Sequence, residues 1–318
     1  MQQKITDIFT APGVKVLIVD DNVINRKVAR GFLKNYEFDL TEAESGPEAI
    51  DLVKEIRFDI IFMDHMMPGM DGIEAAEIIR RDCGENGTAP VMIALTANAM
   101  EGMREHFLAC GFQDFIAKPL DRKELNQLLL RWVPERYRQG KEKEEVFQPI
   151  DPADFRIEGV DMDAAMQYYS GDEVGFVDLL ELYCMDGKRK ANLLKELEKE
   201  DILRYQIEVH GLKSASANIG AMKVSGLARA QEEAAARGDR EFISGHFPEL
   251  LAEYETLLAE IERFLKQRRQ ERYMRKLRRR FRNWSIFVPE SARKEWIPCC
   301  CMNCQTMWKN VWYRYGNS

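Results

Sequence analysis

Three acidic residues, a threonine and a lysine each stand directly after an apolar run of the sequence. Asp20 and Asp21 follow the first run, Asp64 the third, Thr96 the fourth and Lys118 the fifth. If the runs are parallel strands, these side chains converge on one crevice beyond the carboxyl ends of the strands. Three carboxylates there repel one another unless a cation lies among them, and Mg2+ suits such an oxygen site. Lys118 and Thr96 would complete a site for a phosphoryl group.

A second candidate for phosphoryl chemistry is a histidine in a helical pattern further along the chain. His210 lies about 100° around the helix axis from Val209, on the flank of an apolar stripe. Lys213 and Ser214 stand three and four residues later, where they could donate hydrogen bonds to a phosphohistidine. Small residues nearby would leave room for another domain to bring its acceptor close: Gly211, Ser214, Ala217 and Gly220.

The elements that position the first group are five short apolar runs alternating with helical patterns. Three of the runs are almost continuously apolar, as is typical of parallel strands covered on both faces. This pattern predicts a doubly wound (βα)5 domain. The runs are Val14–Val19, Phe38–Thr41, Ile60–Met63, Val91–Leu95 and Phe115–Ala117.

The second half of the chain loses the strand pattern and predicts an all-α, up-down helical bundle. A segment with a charge run and two prolines, Arg136–Gly159, predicts a linker of about 27 Å, so that the two domains could touch. The predicted helices are Met162–Tyr169, Val174–Glu200, Ile202–Ile219, Met222–Arg237 and Arg240–Lys266. The predicted divisions are an extension at 1–13, an α/β domain at 14–135, a linker at 136–160, a bundle at 161–267 and a tail at 268–318.

Four motifs of the first domain resemble the receiver domain of two-component response regulators, which has a flavodoxin-like (βα)5 fold. The resemblance covers Val14 to about Trp132. The motifs are IVDDN at Ile18–Asn22, FMDHMMPGMDG at Phe62–Gly72, LTANA at Leu95–Ala99 and KPL at Lys118–Leu120.

This resemblance implies a role for each matching residue. Asp64 would accept the phosphoryl group, and Asp20 and Asp21 with the backbone carbonyl of Met66 would hold Mg2+ beside it. Thr96 and Lys118 would bind phosphoryl oxygens. The resemblance also implies a cis peptide between Lys118 and Pro119, and Phe115 at the aromatic switch position.

Two neighbours of Asp64 carry separate predictions. Met66 places an apolar side chain where it should obstruct an attacking water, which favours an aspartyl phosphate that lives long enough to be relayed. His65 is expected to point away along the strand exit, as a surface or hydrogen-bonded histidine. His106 and His246 are expected at the surface.

The stretch VHGLKSASANIGA, Val209–Ala221, resembles the histidine phosphotransfer (HPt) motif, in which lysine follows the histidine at +3 and glycine at +10. The resemblance implies that His210 is a second phosphoacceptor, supported by Lys213, Ser214 and Gly220. Ser214 departs from the glycine that is frequent at +4.

The net charge of −7 conceals two different segments. Gln267–Ser318 carries 13 basic and 3 acidic residues, which leaves an excess of 17 negative charges on the rest. Three interpretations of the tail are open: a disordered extension, a basic helix at Arg268–Arg282 that binds nucleic acid or an anionic membrane, and a Zn2+ site at Cys299, Cys300, Cys301 and Cys304. The Zn2+ site is the least favoured, because no second spaced cysteine pair and no histidine occur there, and the disordered extension is preferred because nothing in the tail specifies a core.

The two resemblances together predict a phosphorelay from a sensor histidine kinase to Asp64, then to His210, then to a separate response regulator. No Gly-rich nucleotide-binding box is present, so the chain is expected to take its phosphoryl group from outside. The alternatives are the C-terminal part of a hybrid histidine kinase and, less favoured, a DNA-binding regulator using its tail. With no signal peptide or long apolar run, the expected location is the cytoplasm.

Overall fold

The computed structural model describes residues 9–84, 89–96, 103–140, 156–162, 165 and 173–284. The chain divides into two compact units, Met1–Leu265 and Lys266–Ser318. The sheet, the candidate site and most of the helical region belong to the first unit.

Five parallel strands form the central sheet, in the spatial order β3-β2-β4-β5-β6. Val16 of β2 pairs with Leu40 of β3 on one side and with Ile60 of β4 on the other. Every residue of β4 is buried, as predicted for a strand covered on both faces. The strands are β2 (Lys15–Val19), β3 (Asp39–Ala43), β4 (Ile60–Asp64), β5 (Val91–Thr96) and β6 (Asp114–Ala117).

Helices connect these strands, and side chains before their first turns determine where three of them start. The Asn22 side chain accepts from Ile24 N, Ser45 from Glu48 N and Asp121 from Glu124 N. These bonds satisfy backbone donors that a helix start leaves free. The helices are α1 (Val23–Leu33), α2 (Gly46–Glu55), α3 (Gly72–Gly84), α4 (Met103–Ala109) and α5 (Arg122–Trp132).

A two-stranded ribbon extends this domain beyond both predicted boundaries. β1 (Phe9–Thr10) pairs antiparallel with β7 (Gln139–Gly140). The Phe9 ring meets Tyr36 edge-on at 5.3 Å, and the Arg138 guanidinium lies 5.4 Å from the Phe9 centroid. Residues 9–10 and 139–140 thus lie outside the predicted bounds of the α/β domain but are paired with each other. Two-residue strands are too short to produce a periodic pattern.

From residue 173 to residue 284 the chain is helical apart from short turns. The helices are α6 (Glu173–Glu200), α7 (Ile202–Asn218), α8 (Met222–Ala236) and α9 (Arg240–Trp284). Paired aromatic rings fill the space between them: Tyr205 meets Phe247 at 6.0 Å and Tyr183 meets Tyr254 at 5.9 Å. The predicted helix Met162–Tyr169 lies for the most part outside the described residues.

The α/β and helical regions lie in one compact unit, where α1 packs against α6 and α7. The sequence predicted two domains able to touch, but it did not indicate which faces meet.

α9 continues to Trp284, so the described part of the tail, residues 268–284, is helical. The cysteine cluster at Cys299–Cys304 lies outside the described residues. Among the helices that the structure describes, none is long and apolar enough to cross a membrane.

Gly72 provides a test of the loop that follows β4. A Cβ atom there would lie 1.9 Å from the Asp64 carbonyl oxygen, whereas a Cβ on Gly31 in α1 would meet nothing within 4 Å. We expect Gly72→Ala to lower the free energy of unfolding by about 1–3 kcal/mol. Gly31→Ala should raise it by about 0.5–1 kcal/mol, since alanine favours helix. Urea unfolding checks both, and equal effects of the two substitutions would contradict the close approach.

Candidate functional site

The carboxyl ends of β2 and β4 meet at the point where the strand order reverses. β2 is followed in the chain by β3 on one side of it, while β4 lies on its other side. Asp20 and Asp21 follow β2, and Asp64 is the last residue of β4. Open α/β sheets bind ligands at such a switch point. The strand topology therefore brings together the three acids that the sequence singled out.

Lys118 links two of these acids. Its Nζ atom lies 2.6 Å from Asp20 Oδ2 and 2.7 Å from Asp64 Oδ2, with all three side chains almost fully buried. The backbone NH of Lys118 donates to the carbonyl of Thr96 at 2.6 Å, so the end of β5 helps to position the lysine. The predicted cis peptide between Lys118 and Pro119 is present.

The three carboxylates form a cluster with the dimensions of a cation site. One oxygen from each of Asp20, Asp21 and Asp64 lies within 4.8 Å of the others. Burial first, and then the neighbouring carboxylates, raise the pKa of Asp20 to about 7 and that of Asp21 to about 6. Without a cation, the cluster therefore holds protons near neutral pH. An all-oxygen set of this kind fits Mg2+.

Asp64 responds differently to the same surroundings. Burial favours its neutral form, but the Lys118 ammonium, with the nearby His65 ring, holds the pKa of Asp64 well below its usual range. Burial likewise disfavours the charged form of Lys118, yet Asp20 and Asp64 raise the pKa of that lysine. Asp64 is thus an ionised carboxylate, the form needed for a nucleophile.

His210 lies on α7 with one ring nitrogen paired to an acid. Its Nδ1 atom is 2.6 Å from Glu232 Oε1 on α8, and Lys213 pairs with the other oxygen of Glu232. Burial would raise the pKa of Glu232, but the His210 hydrogen bond and Lys213 lower it, so Glu232 is ionised. An ionised carboxylate only accepts hydrogen bonds, and His210 Nδ1 must therefore carry the proton.

The second nitrogen of His210 is left for chemistry. Burial lowers the pKa of His210, which favours the neutral ring, and a neutral ring protonated at Nδ1 has its lone pair on Nε2. Nε2 is buried without a hydrogen-bond partner, as is the hydroxyl of Ser214 one turn later. Buried polar atoms without partners are rare and indicate a site for a ligand or a transient group.

His65 lies close to both Asp64 and His210. Its ring meets the His210 ring edge-on at 5.6 Å, and its Nδ1 lies 3.6 Å from Asp64 Oδ1. Nδ1 is also 3.0 Å from the Leu95 carbonyl, as expected for a hydrogen-bonded histidine. The expectation that His65 points away from Asp64 is wrong.

Other predicted residues occupy supporting positions. The Met66 backbone NH lies 3.3 Å from Asp64 Oδ1, and the Phe115 ring stacks on Phe107 at 6.2 Å. Thr96 is fully buried at the end of β5. Gly220 has a φ of +80°, and a Cβ there would lie 2.3 Å from the Asp161 carbonyl oxygen, which accounts for glycine at this turn.

The sequence did not single out Glu232, Asn22 or Asn25. Glu232 is 22 residues from His210 on another helix, so no local spacing indicates their pairing. Asn22 and Asn25 are three residues apart at the start of α1, and they contact α7. Only the i, i+3 spacing of these two polar residues on a helix start could have drawn attention to them.

Comparisons with known proteins agree with the geometry of the sheet edge. Residues 16–130 match the response regulator receiver domain family. The chain is 41% identical over 119 residues to the signal transduction histidine-protein kinase BarA of Escherichia coli K12, an alignment that covers 37% of this chain and 13% of BarA. The aligned part is thus a small fraction of that relative.

Two solved structures are also similar. The receiver domain of the sensor histidine kinase PA1611 from Pseudomonas aeruginosa, with magnesium coordinated in its active-site cleft, is 39% identical; the match covers 38% of this chain and 98% of that one, with a TM-score of 0.35. The second is a chain from the Saccharomyces cerevisiae complex of the histidine phosphotransfer protein Ypd1 with the Ssk1 receiver domain. It is 32% identical, and the match covers 41% of this chain and 94% of that one, with a TM-score of 0.38. On the family match and the alignment with BarA, residues 16–130 are a response regulator receiver domain of two-component signal transduction.

Proposed function

We propose that this chain is a two-component phosphorelay protein in which Asp64 accepts a phosphoryl group and exchanges it with His210 of an HPt helical bundle. The observation that carries the proposal is the free, buried Nε2 of His210 on the side chain that packs beside the acceptor site. A nucleophilic nitrogen and an ionised acceptor carboxylate are the two groups that such an exchange requires.

Mg2+ is the cofactor that the acidic cluster fits. Asp20, Asp21 and Asp64 would hold it, with the backbone carbonyl of Met66. When bound, the ion supplies positive charge that stabilises the phosphoryl oxygens during transfer. Lys118 contributes a second positive charge at Asp64. Thr96 and Lys118 would hold phosphoryl oxygens.

The transfer from Asp64 to His210 is an in-line displacement at phosphorus. The lone pair of His210 Nε2 forms the N–P bond, the P–O bond to Asp64 breaks, and the carboxylate leaves with the electron pair. The ring becomes positively charged, and the ionised Glu232 at Nδ1 stabilises that charge. The reverse reaction uses the same atoms, so flow in either direction is chemically possible.

Glu232 acts as a positioning residue in this scheme, because it touches the histidine and not the phosphoryl group. It holds the Nδ1 proton and thereby keeps the lone pair on Nε2. Ser214 Oγ makes no hydrogen bond in the structure, so it can donate one to a phosphoryl oxygen on Nε2 without giving up another partner. Lys213 is already paired with Glu232, so its positive charge would stabilise both that carboxylate and the transferred phosphoryl group.

The partners would be a sensor histidine kinase as phosphoryl donor and a separate response regulator as acceptor. A cytoplasmic location suits such partners and the free thiols of Cys83, Cys110 and Cys184.

The relay could also form part of a hybrid sensor histidine kinase. The kinase BarA, of which the alignment spans 13%, favours this alternative. An antibody against the bundle distinguishes the two arrangements by the mass of the native polypeptide. A band near 36.9 kDa supports the separate protein, and a much larger band supports the hybrid kinase.

Phosphoryl transfer can be followed with labelled acetyl phosphate and Mg2+. We expect wild-type protein to gain acid-labile label on His210. Asp64→Asn should abolish labelling of both residues, while His210→Gln should retain base-labile label on Asp64. Label on His210 of Asp64→Asn at the wild-type rate would contradict the order of transfer.

Removing the charge of Glu232 should slow transfer without unfolding the bundle. We expect Glu232→Gln to lower the single-turnover rate from Asp64 to His210 by on the order of tenfold to a hundredfold. Glu232→Ala should also shift the His210 proton from Nδ1 towards Nε2, as seen by 15N NMR. Exposed Glu233 provides the control, because Glu233→Gln removes the same charge one residue away. Equal rates for the 232 and 233 variants would refute the role of Glu232.

Mg2+ binding should release protons. Asp20 and Asp21 hold protons below their raised pKa values of about 7 and about 6, and the cation must displace them. We expect the apparent affinity to fall by at least about tenfold from about pH 8 to about pH 6. Titration calorimetry in buffers of different ionisation enthalpy measures the released protons. An affinity that does not change over this range would show that the carboxylates are already ionised.

A further inference from the structure

Two asparagines at the start of α1 connect the acidic cluster to the helix that carries His210. Asn22 Nδ2 donates to the Gly211 carbonyl at 3.3 Å, and Asn218 Nδ2 donates to Asn25 Oδ1 at 3.0 Å. All three asparagine side chains are buried. These bonds join the receiver domain directly to α7, on which Gly211 follows His210.

The receiver domain fixes the orientation of both of its asparagines. Asn25 Nδ2 donates to Asp20 Oδ1 at 3.1 Å, and a carboxylate oxygen only accepts, so the amide oxygen of Asn25 must face α7. Asn22 Oδ1 accepts from Ile24 N at 2.9 Å, so the amide NH2 of Asn22 must face α7. Neither amide can rotate by 180° without losing its bond inside the receiver domain.

The receiver domain therefore presents one donor and one acceptor in fixed positions. On α7, the Gly211 carbonyl supplies the acceptor and the Asn218 amide supplies the donor. These two points are seven residues apart, which is about 10 Å along the helix axis. Two hydrogen bonds at that separation determine both where α7 lies along α1 and how it is rotated.

Position 211 lies at this contact, where a side chain would be at ordinary van der Waals distance from its neighbours. A Cβ atom on Gly211 would lie 3.4 Å from Asn22 Nδ2 and also 3.4 Å from Lys190 Nζ. Lys190 forms a 2.7 Å ion pair with Glu208, and both side chains are largely buried. The helix surface beside His210 is thus closely packed against the receiver domain.

We propose that Asn22 and Asn25 act as a donor–acceptor pair that selects this chain's own HPt helix, through the Gly211 carbonyl and Asn218, as the transfer partner of Asp64. The inference rests on the proposed function and names the residues that determine which helix Asp64 exchanges with. A helix with an acceptor in place of the Asn218 amide would face Asn25 Oδ1, and two acceptors cannot bond. Buried and unpaired, they would disfavour docking.

Asn218→Asp tests this selection, because it keeps the side-chain shape and removes the donor. Asn192→Asp, at an exposed position of α6, introduces the same charge as a control. With acetyl phosphate as donor, we expect Asn218→Asp to slow transfer from Asp64 to His210 by at least about tenfold. Labelling of Asp64 in a His210→Gln background should not fall, since Asn218 lies outside the receiver domain and the substitution removes no group of the acidic cluster. Asn192→Asp should stay within about twofold of wild type.

A second set of variants covers the case in which Asn218→Asp perturbs α7 itself. Asn25→Ala and Asn218→Ala should each slow transfer, and the double variant should be no slower than the slower single one, because both remove the same bond. Hydrogen exchange of α1 and α7 amides should rise together in these variants, which a loss of chemistry alone would not cause.

The outcomes separate this inference from the proposed function. If wild-type His210 receives no label, the phosphorelay itself fails. If wild-type His210 is labelled and Asn218→Asp is labelled at the same rate, only the selection by asparagines is overturned. Strictly additive effects of Asn25→Ala and Asn218→Ala would also overturn it.

Discussion

Lys118 places one positive charge between the carboxylates of Asp20 and Asp64, with its Nζ atom 2.6 and 2.7 Å from their oxygens. In a buried position this charge cannot balance three acids at once, so the cluster requires protons or a cation. The sheet order creates the crevice, and the β4–α3 loop closes tightly at Gly72. Asp20 then uses its other oxygen to orient the start of α1.

The chemistry of the sheet edge could be predicted because it depends on strand ends. Apolar runs identify buried parallel strands, and parallel strands necessarily bring their carboxyl ends to one edge. Asp20, Asp64 and Lys118 therefore meet where the sequence placed them. His210 could be recognised on α7 for a similar reason, since the 3.6-residue period places Lys213 and Ser214 beside it.

The remaining contacts depend on packing between distant helices, which no local pattern encodes. The pairing of His210 with Glu232 requires the crossing of α7 and α8, and the bond between Asn25 and Asn218 joins residues 193 positions apart. The orientation of His65 was mistaken for the same reason, because strand alternation does not account for a helix that packs over the strand end. The ribbon of β1 and β7 is held by the Phe9 ring and Arg138, and it leaves no periodic signal.

Under the proposed relay, the burial of Asp64 and His210 has a consequence for the traffic of phosphoryl groups. Asp64 is 1% exposed and His210 is 2% exposed when the receiver domain and α7 are packed together. If opening of this contact exposes both residues to a partner protein, loading from a donor and unloading to an acceptor would compete for one separated state. The frequency of that separation sets an upper limit on flux through the chain, whatever the speed of the chemical step.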